Sequence, residues 1–437
     1  MPKHYPLNTR LLFLILCYFY LQSNGVAVAQ TNSADWVSYT VTPGDTWTAL
    51  AWRHRVSADA LKGANPHPNR FRQPVIGQTV QVPPTADERL GRLVQDDRSL
   101  LQISADTGIP ALQLALINDM PLATHPRPDR AIFAPGDSVI KDFPAGLTSL
   151  SFSHPLARAG EGMAFSGVRN QTILSGRSQI GSKAGTLFVD NERSNAIGLL
   201  ATGAFFWEGT PHIDIVTVLP SHKPSCQNNL APECQKTYLW TQPWLFEKKQ
   251  WTYNDITLTG AAAQIDAEAI AAERARLFEI WRQVPSSNFR PATTFHRPVE
   301  SFLFESSFFG ARRSYNGGPY SSYHEGHDYA AYRGTAVLAP ESGTVVVAET
   351  LYVRGGAVII DHGLGIYTGV YHLDTVEIEV GAQPERGQKV GTVGSTGLST
   401  GPHLHWDLLV NGIWVDPKTW QNMGMNCWIL AALERPC

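Results

Sequence analysis

Charge is scarce in this sequence, cysteine is rare, and no apolar stretch past the N-terminus is long enough to cross a bilayer. Each shortage excludes something. Charged residues make up 17% and hydrophobic residues 43%, a balance too apolar for a disordered chain. Thirty-five basic residues against 38 acidic ones leave a net charge of −3, so no basic surplus exists to draw nucleic acid or an anionic membrane. Long helical runs are few, whereas glycine (37), proline (29) and tryptophan (12) are plentiful. That composition favours β-rich domains joined by turns. The 437 residues leave room for two to four domains.

Residues 1–29 read as an export signal. Lys3 and Arg10 make the start positive, Leu11 to Leu21 is an apolar run, and Ala27-Val28-Ala29 is a small-x-small cleavage site. The run is eleven residues, short of the ~20 that a membrane anchor needs, so no stable membrane insertion is expected once the signal is cleaved. Leu16 before Cys17 argues against a lipoprotein signal, which needs a small residue there. Four cysteines remain, as two close pairs, Cys226/Cys234 and Cys427/Cys437. In an exported chain they imply disulfides. Three pairings are open, of which the nearest-neighbour one closes two small loops.

Residues 37–84 alternate strand and helix signals. Tyr39-Thr40-Val41 is a β run, and Pro43-Gly44-Asp45-Thr46 is a turn with Asp45 or Thr46 as helix cap. Trp47, Leu50 and Ala51 recur at helical spacing, Ser57 caps a second helix anchored by Leu61, and Asn65-Pro66 breaks it. Gly77-Gln78 leads into a strand ending at Val82-Pro83. These residues resemble the lysin motif (LysM), a β-α-α-β module, and the resemblance implies binding to N-acetylglucosamine glycans such as peptidoglycan. Residues 98–140 repeat the theme without the Pro-Gly-Asp-Thr turn and read as a degenerate second copy. Short alternating runs over 148–258 suggest an antiparallel β-sandwich. Residues 261–283 read as a linking helix and 421–437 as a C-terminal tail.

Six of the fourteen histidines lie between His324 and His405. The block Tyr323-His324-Glu325-Gly326-His327-Asp328-Tyr329 offers nitrogen and oxygen donors of the kind zinc takes at ~2.0–2.2 Å. On an extended strand His324 and Asp328 would stand about 13 Å apart, so Gly326 is expected to bend the segment through unusual dihedrals. Gly401-Pro402-His403-Leu404-His405-Trp406-Asp407-Leu408 precedes the Asn411-Gly412 hairpin turn. On that strand His403 and His405 share one face, roughly 6.6 Å apart. Tyr371-His372-Leu373 brings a third histidine if the strands are neighbours. A catalytic zinc centre needs three protein ligands and an open position, and His324, Asp328 and His405 supply the three. His403 then suits a general base, and His372 a group that orients water or stabilises an oxyanion; on the sequence alone these two roles are exchangeable.

The stretch from Phe309-Gly310-Ala311-Arg312-Arg313 through His324-x-Gly326-x-Asp328, Asp361-His362-Gly363, His372-Leu373 and Gly401-Pro402-His403-Leu404-His405 to Asp416-Pro417 resembles the lysostaphin-like (LytM-type) zinc endopeptidases. The resemblance implies a small antiparallel β-sheet domain over residues 297–420, zinc held by His324, Asp328 and His405, and catalytic His372 and His403. It implies hydrolysis of peptide cross-links or stems of bacterial peptidoglycan by a secreted, periplasmic or wall-associated enzyme. His327 departs from the family pattern and is a rival metal contact expected to point outward. Asp407 also departs, and is either support for a zinc histidine or a surface residue. The alternative is a non-catalytic peptidoglycan-binding protein that regulates another wall hydrolase. Oligomeric state is not legible.

Overall fold

The computed structural model describes residues 35–437 except 66–72, 85–88, 95–96, 122–130, 182, 191–192, 207–208, 228–229, 284–285 and 423. The expected export signal, residues 1–29, lies outside the described residues. Among those described, no single helix is long and apolar enough to cross a membrane.

The first unit pairs strand Val37–Thr40 antiparallel with Thr79–Val82 and sets helices Trp47–His54 and Ala58–Ala64 between them. Thr46, not Asp45, is the cap: the Ala49 amide donates to Thr46 Oγ1 at 3.1 Å. Asp45 turns inward and accepts from Tyr39, Thr42, Arg53 and Lys141. Residues 90–139 form a second β-α-α-β unit whose first strand, Leu90–Val94, precedes the repeat read from sequence. Asn65 donates to Leu61 O and Gln81 O and accepts from the Gln81 amide. Asn118 makes the same three bonds to Leu114, Phe133 and the Phe133 amide. The two units pack through Trp52, whose ring stacks on Phe133 at 4.6 Å.

The central region is an antiparallel path of seven strands. Its inward residues, among them Phe165, Ile180, Leu187, Ile213 and Trp240, share a single core. Strand Asn195–Ala201 is buried on both faces. Alternation sends Ala196 and Leu200 into that core and Ile197, Leu199 and Ala201 into the core of the C-terminal sheet. The central and C-terminal regions are therefore packed as one body.

The C-terminal sheet runs Phe304–Ser307, Gly326–Ala330, His403–Val410, Ile366–Val376, Gly355–Gly363, Thr344–Leu351, antiparallel throughout. The disulfides join the nearest neighbours, Cys226 to Cys234 and Cys427 to Cys437. The last residues are more than a tail: Met425, Ile429 and Leu430 of helix Met425–Ala432 are buried in the main core. The linking helix is shorter than its sequence pattern, Ala267–Trp281, because the Asp266 side chain caps it through the Ala269 amide. Ahead of it, strand Tyr253–Ile256 pairs in parallel with Arg312–Tyr315, which pairs with Ser322–Tyr323. That small sheet stands beside the histidine cluster.

Candidate metal centre

Three neighbouring strands bring the cluster together. Register sets Asp328 opposite His405 and His405 opposite Tyr371, and His372 is the next residue along that last strand. His324 sits at the break between strands Ser322–Tyr323 and Gly326–Ala330. The chain turns at His324-Glu325, which is why His324 and Asp328 meet although a continuous strand would separate them. Gly326 contributes differently from the sequence expectation. Its φ is not positive; a Cβ there would lie 2.3 Å from Trp406 O and 2.7 Å from His405 Nε2. Its missing side chain permits close approach of two strands.

His324 Nε2, Asp328 Oδ1 and His405 Nδ1 form a near-equilateral triangle with sides of 3.0, 2.8 and 3.0 Å. A tetrahedral ion with bonds of about 2.1 Å wants its donors about 3.4 Å apart, so a small outward movement accommodates it. Two nitrogens and a carboxylate oxygen are a zinc donor set. His324 Nδ1 donates to Phe308 O at 3.1 Å, with Ser307 Oγ at 3.0 Å. That bond leaves the Nε2 lone pair facing the triangle, the usual support for a metal histidine. Burial pushes the His324 imidazole down to about 3, which keeps it in the neutral, ligating form.

The His372 and His403 rings stand 4.7 Å apart, with His372 6.0 Å from His405. His372 Nδ1 donates to Thr396 O and His403 Nδ1 to Gly401 O, both at 2.8 Å. A carbonyl only accepts, so each histidine keeps a free lone pair on Nε2. His372 has φ +62°, a region uncommon for a side-chain-bearing residue and found at functional sites. Burial, then the neighbouring His403 and His405, holds its pKa well below the ordinary histidine value.

Other candidates separate clearly. His327 faces away from the triangle and is buried rather than outward, 3.4 Å from Glu305 and packed on Phe308 and Tyr329. His362 is buried elsewhere, donating from Nδ1 to Ser342 O and accepting at Nε2 from Thr368. Asp407 is not at the surface. It accepts from Trp414 Nε1 at 2.9 Å and Tyr371 at 3.4 Å, and burial pushes it up to about 6.

Two adjoining clefts of about 310 and 440 Å³ share Leu258, Arg313, Tyr315, His372, Leu398 and His405 as walls. The triangle thus lies on a continuous groove. One wall is Asn254, Ile256 and Leu258, residues whose sequence reads as the end of the central sheet. Glu273 of the linking helix accepts from the Val353 and Arg354 amides, and so holds a loop of the groove rim. Neither feature shows in a strand pattern or helix face.

Residues 322–417 match Peptidase family M23, and residues 39–83 match the LysM domain. The chain carries an M23 peptidase domain and a LysM domain. The M23 family is zinc-dependent, and its matched stretch contains all five histidine and aspartate positions of the cluster. The chain is 37% identical over 115 residues to the peptidoglycan DD-endopeptidase ShyA of Vibrio cholerae, covering 26% of this chain and 27% of that protein. It is 42% identical over 94 residues to the DD-carboxypeptidase/endopeptidase Mpg of Neisseria meningitidis, 22% of each. Among solved structures, the antimicrobial peptidase lysostaphin from Staphylococcus simulans is similar at 28% identity, covering 29% of this chain and 53% of that one, with a TM-score of 0.25. The chain spans 20 to 29% of the length of the first curated relatives it matches. Arg313, Asn254 and Ser307 lie outside the matched M23 stretch, so part of the groove around the M23 cluster is supplied by flanking chain.

Proposed function

We propose that this protein is an exported zinc endopeptidase that hydrolyses peptide cross-links or stems of bacterial peptidoglycan, with its LysM module engaging the glycan. The observation that carries the reading is the triangle of His324 Nε2, Asp328 Oδ1 and His405 Nδ1 with sides of 2.8 to 3.0 Å, set in an open groove beside two further imidazoles. The similarity to proteins named as peptidoglycan endopeptidases supports the substrate. The signal-like N-terminus and the two disulfides support an extracytoplasmic location.

Zinc bound to His324, Asp328 and His405 supplies Lewis-acid polarisation of a carbonyl and acidification of water. The protein's own part is proton handling and positioning. His403 is the more open of the pair, its side chain 15% exposed. Its Nε2 lone pair suits it to take the proton of the attacking water and return it to the leaving amine nitrogen. His372, held neutral, accepts at Nε2 and orients that water. While neutral it has no second N–H to offer an oxyanion, which supports orienting water over stabilising an oxyanion.

Mass spectrometry of fragments released from defined peptidoglycan tests the reading. Zinc-loaded protein should release cut peptides, and chelator or His405→Ala should abolish release while glycan binding persists. Release by His405→Ala at the parent rate would overturn the enzyme and leave a binding protein that regulates another hydrolase.

A further inference from the structure

The cation nearest the triangle has no carboxylate of its own once Asp328 serves a metal. Arg313 Nη2 lies 3.5 Å from Asp328 Oδ2 and 3.4 Å from Ser307 Oγ, and Nη1 lies 3.4 Å from Tyr315 Oη. All three contacts are long for a guanidinium, and its Nε is buried without a partner. The other arginines of the groove are matched: Arg354 with Glu273 and Glu325, Arg274 with Glu325. Parallel pairing sets Asn254 beside Arg313 on the same face, and both line the cleft that holds Asp328, His403 and His405. A guanidinium and a carboxamide side by side, short of good partners and open to a groove, match the planar geometry of a carboxylate.

We propose that Arg313, assisted by Asn254, is the specificity-determining residue that reads a free carboxylate of the peptide next to the scissile bond. This rests on the peptidase reading above. Two sources share the chemistry: the terminal α-carboxylate of a stem peptide, and an acidic side chain within it. Arg313 then contributes to binding rather than to the chemical step, and the enzyme prefers free acids over amidated peptides.

The test uses zinc-loaded full-length protein and three stem-like peptides: the free acid, the terminal amide, and a form with only the side-chain carboxyl amidated. One of the two amidated forms should show a KM roughly 10- to 100-fold higher, the range for losing hydrogen bonds to a charged group, with little change in kcat. Whichever form it is identifies the carboxylate read. Arg313→Gln should erase that difference by raising the KM of the preferred peptide to that of the disfavoured amide, and Arg313→Lys should restore part of it. Binding of peptides with an N-methylated scissile bond, measured by calorimetry, should show the same discrimination without turnover. If all three peptides are cut alike, or Arg313→Gln slows all equally and lowers zinc affinity, Arg313 only props Asp328 and the inference fails while the peptidase stands. If no peptide is cut but calorimetry discriminates through Arg313, the peptidase reading fails and carboxylate recognition stands.

Discussion

Histidines crowd this sequence, and what separates their roles is the partner on each ring nitrogen. His324, His372 and His403 all donate from Nδ1 to a main-chain carbonyl, which turns a lone pair toward the groove. His362 does likewise toward Ser342, but its Nε2 is occupied by Thr368, so it has nothing left for a ligand. Burial pushes His362 down to about 4, below its unfolded value of about 6.5. Between those values the unfolded chain binds the extra proton, so acidification destabilises the fold by about 1.4 kcal/mol per pH unit through this residue. His362→Gln lacks that titration. The stability advantage of the parent over the variant should therefore shrink steadily from pH 6.5 to pH 4, read from unfolding curves; a constant gap would remove His362 as the cause. At this scale the sequence was informative about which donor side chains meet, because His324 and Asp328 share one short motif and His405 stands in another. It misplaced His327, expected to point outward, and left Asp407 open between support and surface, because the burial of both depends on strands remote in the chain.

Elements place these side chains by register and by close approach. Strand Gly326–Ala330 lies against His403–Val410 with Gly326 opposite Asp407, and the absent side chain of Gly326 lets the two backbones meet. Gly326→Ala would press a methyl against Trp406 O and the His405 ring. It should cost about 1–3 kcal/mol of stability and weaken zinc affinity while leaving the secondary structure intact, as circular dichroism and metal titration would show. Unchanged zinc affinity would mean that the strands absorb the methyl without moving His405. A glycine at this position was legible, but its reason was not: motif spacing suggested a bend, whereas the need is steric and comes from a strand almost eighty residues downstream. Strand Tyr253–Ile256 was hidden for a related cause. It pairs in parallel with Arg312–Tyr315, and a non-local parallel partner leaves no hairpin turn to read. Glu273 was hidden because a buried acid on an amphipathic helix resembles an exposed one until its acceptors' partners, the Val353 and Arg354 amides, are in view.

At the scale of the molecule, the LysM module is fastened to the central sheet. The Gly44 amide donates to Gln242 Oε1, and Gln242 Nε2 donates to Asp45 O at 2.9 Å. The Ile76 amide donates to Pro243 O and the Leu245 amide to Ile76 O. Gln242 is fully buried, so Gln242→Ala would strand the Gly44 amide and the Asp45 carbonyl, at about 1–3 kcal/mol. The expected result is faster limited proteolysis between the module and the sheet, with kcat on a soluble peptide unchanged. Equal proteolysis rates would place the hold in the main-chain pairing alone. That the cysteines form disulfides, and the β-rich architecture, could be anticipated from composition and an even cysteine count, whereas the pairing itself was left open. The fastening could not, since it depends on one glutamine nearly two hundred residues from the turn it grips.

Strand Asn195–Ala201 belongs to two cores at once, and the LysM module is pinned to the sheet that contains it. An adhesive head on a slack tether sweeps out a sphere and lets the blade fall anywhere within it. On the proposed function the head and the blade form a caliper: where the head lands on a strand of wall would fix which peptide comes under the blade, and a peptide at the wrong offset would stay out of reach however long the head remained attached.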